Sequence, residues 1–242
     1  MHGPPGCSKT TLARAAAGAS GVAFFTLSPA QVYASSYVGE AEAVVRRAFT
    51  LARAAAPCIL FFDECDSIFG DGDQARGSSA EARVLSTFLN EMDGVDNKPA
   101  DNGVLVLGAT NRPWTLDSAL LRPGRLGDKI VYVPPPDMKS RKTILQMQFP
   151  TSENDFDWDM LAGSKSEGMT GAEIIGACQT AKMRRLREMQ MRIVDEEKAF
   201  EDAVLGEMKQ EYLEEALDAI TPLLSNPRAL EEFRIFENHC QR

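Results

Sequence analysis

Within its first eleven residues the chain reads Gly3-Pro4-Pro5-Gly6-Cys7-Ser8-Lys9-Thr10-Thr11, a turn-forming run followed by a cation and two hydroxyls. A loop of this composition that opens a helix holds anionic oxygens with backbone N–H groups, where unpaired donors and the helix dipole both favour negative charge. Lys9 then reaches the outer phosphates of a nucleoside triphosphate and Thr10 places its hydroxyl on Mg²⁺. The alanine-rich run Leu12 to Ala17 carries the helix onward. Where this pattern has a glycine just before the lysine, Ser8 stands, so the backbone there is expected to keep a conformation that a side chain tolerates. Cys7, if exposed beside Lys9 at a helix N-terminus, has the setting of a reactive thiolate, unlike Cys58 and Cys178 in their apolar runs. Taken alone, the stretch also reads as a Gly/Pro turn leading into an ordinary helix cap.

Further along, Cys58-Ile59-Leu60-Phe61-Phe62-Asp63-Glu64 is a continuous apolar run ending in two acids. A strand buried on both faces looks like this when its C-terminal end delivers carboxylates to a site. Asp63 suits the Mg²⁺ that accompanies the phosphates. Glu64 suits the base that orients and polarises the attacking water, because phosphoryl transfer asks of a protein mainly positioning and charge stabilisation. A core strand that happens to meet an acidic loop is the plainer alternative, and it loses weight beside a phosphate loop at this spacing.

Val104-Leu105-Val106-Leu107-Gly108-Ala109-Thr110 is a second such strand, running into Asn111-Arg112-Pro113 and then Leu120-Leu121-Arg122-Pro123-Gly124-Arg125. In order and spacing these residues resemble the second region of homology of the AAA family of ATPases. The resemblance implies that Asn111 senses the γ-phosphate and contacts the attacking water. It also implies that Arg122 and Arg125 reach a neighbouring subunit's nucleotide as fingers, worth about 10³ to 10⁵ in rate. Tyr37-Val38-Gly39-Glu40 is similar to the family's first pore loop, whose aromatic residue grips an extended polypeptide in the channel of a hexamer; Ser36 stands where a lysine is usual. Gly168-Met169-Thr170-Gly171-Ala172-Glu173-Ile174 resembles the segment that opens a lid-domain helix near the nucleotide, with Gly171 and Ala172 replacing the second-sensor arginine of other branches. The likeness covers roughly residues 1 to 190 and resumes near Tyr212 to Phe236. With Cys7-Ser8 in the phosphate loop, it is strongest to the second ATPase domain of the spermatogenesis-associated and diazaborine-resistance group, relatives of valosin-containing protein. That group implies protein unfolding and ribosome biogenesis. Two departures stand out: Arg125 is followed by Leu126-Gly127-Asp128-Lys129, one glycine more than the family segment, which is expected to displace the fingers, and Trp114 occupies the place of a usual aspartate near a subunit boundary.

Such residues need a sheet to position them. In an open α/β sheet the phosphate loop follows the C-terminal end of a strand, and the apolar runs predict strands at Val22 to Leu27, Cys58 to Asp63, Gly103 to Ala109 and Lys129 to Val133. Only Met1 and His2 precede Gly3. The strand that family topology puts at the centre, between the last two, is therefore missing from the expected set, and the chain reads as N-terminally truncated. Pro134-Pro135-Pro136 stop the last strand, and beyond Asp137 apolar residues recur at helical spacing, as in Ile144, Leu145 and Phe149. The expectation is an α/β P-loop NTPase parallel sheet in residues 1 to 137 and an α-helical lid domain in residues 138 to 242. Asp71 to Ser79, rich in Gly, Asp and Ser, is expected to be a mobile loop where the family keeps its second pore loop.

Composition suits a globular module: 44% of the 242 residues are hydrophobic, and no apolar run approaches the ~20 residues of a membrane span. No secretory signal opens the chain and its five cysteines lack metal spacing, which predicts a reducing cytosol or nucleus. A net charge of −9 speaks against a nucleic-acid groove. The local exception is the basic helix Lys182 to Arg192, followed by an acidic block, Asp195 to Glu215, which is expected to pair with it between antiparallel helices. Residues 194 to 211 exceed what the family has between lid helices and are expected to lengthen two of them.

The function expected is that of an ATP-hydrolysing motor subunit in a homo- or hetero-hexamer of AAA subunits, with ATP and Mg²⁺ at the site and a polypeptide as substrate. Two other readings stand beside it. A DEAD-type RNA helicase is suggested by Asp63-Glu64-Cys65-Asp66, against which count the missing second RecA-like domain and the acidic balance. A non-catalytic nucleotide-binding fragment or degenerate copy keeps the motifs without turnover.

Overall fold

The computed structural model describes residues 1–34, 37, 39–70, 79–96, 103–149, 156–195, 208–225, 231–233 and 235–236. It divides into two compact units, Met1–Pro4, Ser8–Val133 and Glu232–Arg242 in the first, and Pro5–Cys7 with Pro134–Glu231 in the second.

The first unit runs α1 (Lys9–Ser20), β1 (Ala23–Leu27), α2 (Pro29–Val32), α3 (Glu40–Ala54), β2 (Cys58–Phe62), α4 (Cys65–Phe69), α5 (Ser79–Asp96) and β3 (Val104–Gly108). The strands are parallel in the order β1-β2-β3, with Ala23 opposite Cys58 and Cys58 opposite Val104. Side chains alternate across a strand, so the unbroken apolar run of β2 must find cover on both faces. Cys58, Leu60 and Phe62 enter a cluster with Val45 and Phe49 of α3 and Val84 and Phe88 of α5. Ile59 and Phe61 enter another with Ala13 and Ala17 of α1, whose small side chains let that helix lie close. All five residues of β2 are buried. The Phe62, Phe69 and Phe88 rings pack edge-on or tilted, with centroids as near as 4.4 Å, a geometry that adds to their burial. The Asp71 to Ser79 stretch lies outside the described residues up to residue 78, and Ser79 already opens α5.

Three of the four expected strands form. Lys129 to Val133 does not; within it only Tyr132 makes a parallel bridge, to His2. Among the described residues it has no partner strand. His2 donates its N–H to Val131 O (2.9 Å) and accepts from Val133 N (2.8 Å), while Met1 O accepts from Thr110 N (3.1 Å), so Met1 and His2 make a single rung between two extended segments. Beyond that rung lies a cavity of about 370 Å³, lined by Val104 to Gly108 on one side and Lys129 to Val131 on the other. This is the place the resemblance gives to a further central strand. The consequence is visible in β3, as apolar as β2 yet an edge strand, with Leu105 54% exposed.

His2 is buried against Tyr132, Phe233 and Phe236, and neither ring nitrogen has a partner among the described residues. Burial first, then the positive charges of the N-terminus and Lys9, lowers its pKa from 6.5 to about 4.

In the second unit, Asp137 caps α6 (Met138–Gln148) by accepting from Ser140 N at 2.8 Å, which fixes where the helix begins after the prolines. The unit continues through the short helix α7 (Trp158–Met160), α8 (Gly171–Asp195) and α9 (Gln210–Asp218), which bury Leu145, Leu161, Ile174, Cys178 and Leu213 in one core. Arg184 of α8 pairs with Glu215 of α9, so basic and acidic stretches do meet at this point. Among the described residues no helix is long and apolar enough to cross a membrane.

Two predictions follow from the sheet unit. Extending the chain ahead of Met1 by six apolar β-forming residues supplies a strand to the slot; at about 1 kcal/mol net per hydrogen bond and 2 to 4 °C per kcal/mol, the melting temperature rises by at least about 5 °C. An unchanged melting temperature would show that the slot does not take a strand. For His2, the unfolded chain takes up a proton below about pH 6.5 and the folded chain only near pH 4, so its contribution is complete above the unfolded value and is lost as pH falls toward 4. The loss is of the order of 1 to 2 kcal/mol at pH 5. His2→Phe should flatten the difference between melts at pH 7.5 and pH 5 by that amount.

Candidate nucleotide site

Strand β2 ends at Phe62, and the three residues after it are held from both neighbouring strands. Asp63 N donates to Leu27 O (2.9 Å) at the end of β1, and Cys65 N donates to Ala109 O (2.8 Å) just beyond β3. With the backbone so fixed, the Asp63 carboxylate takes two donors, the Thr10 hydroxyl at 2.7 Å on Oδ2 and the Glu64 N–H at 3.1 Å on Oδ1. Thr10 lies in the first turn of α1, one residue after Lys9. The structure thus brings together the hydroxyl and the carboxylate that sequence assigned to one Mg²⁺. Hard oxygen donors of this kind suit that ion.

Lys9 is buried, and its ammonium donates to Gly3 O and Pro4 O, both at 2.8 Å, tying the ascending limb of the loop to the start of the helix. At the loop tip, Gly6 has φ of 76°, and its carbonyl accepts from Ala172 N at 3.1 Å. A Cβ on Gly6 would lie 2.8 Å from the Thr170 hydroxyl and 3.0 Å from Ala172 Cβ, so only glycine fits there. Thr170 itself is fixed by Glu173, which accepts from both its N–H (2.7 Å) and its hydroxyl (2.8 Å). Gly171 opens α8 and is buried. Pro5 and Thr11 are exposed.

Cys7 is buried, only 6% exposed, so the exposed reactive thiol does not arise. Cys65 and Cys178 are buried as well, and burial pushes their thiols up to about 12 and about 11. Ser8 corrects another expectation. It sits at φ 62°, ψ 27°, the left-handed conformation that suits the glycine it replaces, because the loop must turn there before α1 can begin. Glu64 is also left-handed, at φ 50°, ψ 50°, with its side chain exposed. These are the two non-glycine residues with positive φ among those described, and they stand at the loop and at the expected base.

Asn111 is half-buried directly beyond β3, between two residues that a third acid ties down. Asp66 accepts from the Thr110 hydroxyl (2.8 Å) and from Arg112 Nε (3.1 Å), so it fixes the chain on both sides of Asn111 relative to α4. Sequence reasoning gave Asp66, Thr110 and Arg112 no role; the signal available was the acid at the fourth position of Asp63-Glu64-Cys65-Asp66. Arg122 is exposed, whereas Arg125 is paired with Asp93 of α5. Tyr37 is 81% exposed, Gly39 caps α3 with φ of 89°, and Val38 and Ser36 lie outside the described residues. Trp114 packs edge-on against Phe233, with centroids 5.2 Å apart.

A left-handed residue other than glycine costs about 1 to 2 kcal/mol, partly offset by the extra freedom glycine has when unfolded. Ser8→Gly should therefore stabilise the protein by about 0.5 to 1 kcal/mol in thermal or urea melts. A destabilised variant would mean that the serine side chain contributes more than its backbone costs.

Compared with known proteins, residues 1–134 match the ATPase family associated with various cellular activities (AAA), and residues 155–202 match the AAA+ lid domain. Similar proteins include the cell division control protein 48 homolog B of Arabidopsis thaliana, 48% identical over 193 residues, covering 78% of this chain and 31% of that protein. The ATPase family gene 2 protein of Saccharomyces cerevisiae is 42% identical over 227 residues, 90% of this chain and 28% of its own length. Its human homolog A is 38% identical over 237 residues, 96% of this chain and 24% of its own length. The chain thus spans less than a third of the length of each of these relatives. A phosphate loop, a paired hydroxyl and carboxylate, and a matched region covering more than half of the residues agree: the chain belongs to the AAA family of ATPases.

Proposed function

We propose that the chain binds Mg-ATP and hydrolyses it as one subunit of a hexameric motor that pulls an extended polypeptide, with each active site completed by the next subunit. The observation that carries this is the 2.7 Å contact between Thr10 and Asp63, with Glu64 next in the chain. The pair fits the metal that the family uses. Mg²⁺, when bound by Thr10 and Asp63, supplies positive charge against the phosphates.

The remaining work falls to the protein's own groups. Lys9 and the loop N–H groups hold the triphosphate at the N-terminus of α1. Glu64 accepts a proton from, and orients, the attacking water. Asn111 senses the γ-phosphate from the end of β3. The Arg122 to Arg125 loop serves the neighbouring site, where an arginine stabilises charge developing in the transition state. Tyr37, with Val38 and Gly39, forms the substrate-gripping loop, a reading supported by the exposure of its ring. A setting in ribosome biogenesis, in the cytosol or nucleus, belongs to the same proposal. A second reading is nucleotide binding without turnover.

The test separates the two. Glu64→Gln keeps the shape of the site, so fluorescent-nucleotide binding should stay within about threefold of wild type while ATPase activity falls at least about a hundredfold. Lys9→Ala should abolish binding itself. A Glu64→Gln variant that hydrolyses at the wild-type rate would overturn the assignment of the base, and wild-type binding with no turnover at any protein concentration would favour the second reading.

A further inference from the structure

Resting on the hexameric reading, the two arginines of the Leu120 to Arg125 segment separate into different roles. Arg125 is committed to its own subunit through three donors. Its Nε and Nη2 donate to Asp93 Oδ1 and Oδ2, each at 2.9 Å, and its Nη1 donates to Ala119 O at 2.9 Å. The side chain is 17% exposed. A bidentate arginine–carboxylate pair is among the stronger surface contacts, because two parallel charge-assisted bonds fix both planes. In keeping with it, the mutual hydrogen bonds lower the Asp93 pKa and raise that of Arg125. Arg122 differs in each respect: it is exposed and donates to no described residue.

The surrounding turn explains how three residues make this difference. Leu120, fully buried, anchors the segment in the sheet-unit core, and the N–H groups of Leu120 and Leu121 donate back to Asp117 O and Ser118 O. Gly124, at φ 82°, reverses the chain and donates to Asp128 Oδ1 at 2.6 Å. Gly127 then returns so close to Leu121 that a Cβ would lie 2.0 Å from its carbonyl oxygen. The additional glycine is what permits this fold-back. It leaves Arg125 against α5 and Arg122 outside.

We propose that Arg125 is a positioning residue, clamped in cis by Asp93, which holds the turn so that Arg122 alone is the finger offered to the neighbouring nucleotide. Asp93 had no signal in the sequence, since it is an ordinary acid on the exposed side of a helix.

A charge swap tests this in the assembled protein at saturating Mg-ATP. Arg122→Ala should lose at least about a hundredfold in activity, as removal of a finger does. Arg125→Asp and Asp93→Arg should each lose about tenfold or more, because each sets like charges against one another. The double variant Asp93→Arg with Arg125→Asp rebuilds the pair in reverse and should return to within about threefold of wild type, although no cation remains at position 125. A double variant as inactive as Arg125→Asp alone would overturn the clamp and restore Arg125 as a finger. An assembly-independent readout is amide exchange across residues 120–128 in the nucleotide-free chain. Arg125→Ala and Asp93→Ala should speed the same amides, and the double variant should speed them no further. Unchanged exchange in either single variant would also overturn the clamp. Absence of ATPase activity in the wild type would count against the hexameric reading, and the exchange measurement would still decide the clamp.

Discussion

The backbone of Asp63, Glu64 and Cys65 is gripped by the strands on either side, through Leu27 O and Ala109 O, and the rest of the site depends on that grip. It exists because β2 is buried over its whole length and therefore cannot slide or tilt without exposing Phe61 or Phe62. A strand so constrained presents its C-terminal acids at one height relative to β1 and β3. Thr10 of α1 meets Asp63, and Asp66 reaches Thr110 and Arg112 because the parallel register sets the ends of β2 and β3 level with each other. Charge-assisted hydrogen bonds then tune an arrangement that apolar packing created.

Strain concentrates where the chain must turn sharply to serve that arrangement. Ser8 and Glu64 both hold left-handed backbone, one where the loop passes into α1 and the other where β2 passes into α4. Each costs of the order of 1 to 2 kcal/mol, a noticeable share of the 5 to 15 kcal/mol typical of a whole domain. The turn at Glu64 leaves its side chain exposed, and the packing of Phe62, Phe69 and Phe88 around the same corner holds the conformation in place.

Open edges mark the opposite regime. β3 has the apolar composition of a doubly covered strand but pairs with one strand among the described residues, and the slot beyond it carries one rung made by Met1 and His2. The aromatic wall formed by Tyr132, Phe233 and Phe236 closes over His2, and no described residue gives either of its ring nitrogens a partner. Here burial wins over hydrogen bonding, and the imidazole answers by staying neutral.

Local chemistry made much of this legible in the amino-acid sequence: the phosphate loop, the acid pair at the end of β2, three of the strands and the helical character beyond Pro136 all follow from residue type and period. Such features are short-range, since a run of apolar residues or a Gly/Pro turn dictates its own backbone. The tertiary structure decided what depends on neighbours distant in sequence. Lys129 to Val133 has strand composition but no ladder, because pairing is a property of two segments. Ser8 took the glycine conformation because the loop and α1 together leave no other path. Cys7 lost its exposure, and Arg125 was drawn to Asp93 on a helix that sequence gave no reason to bring near. Ion pairs and burial are long-range outcomes of packing, and only the folded chain determines which charge finds which.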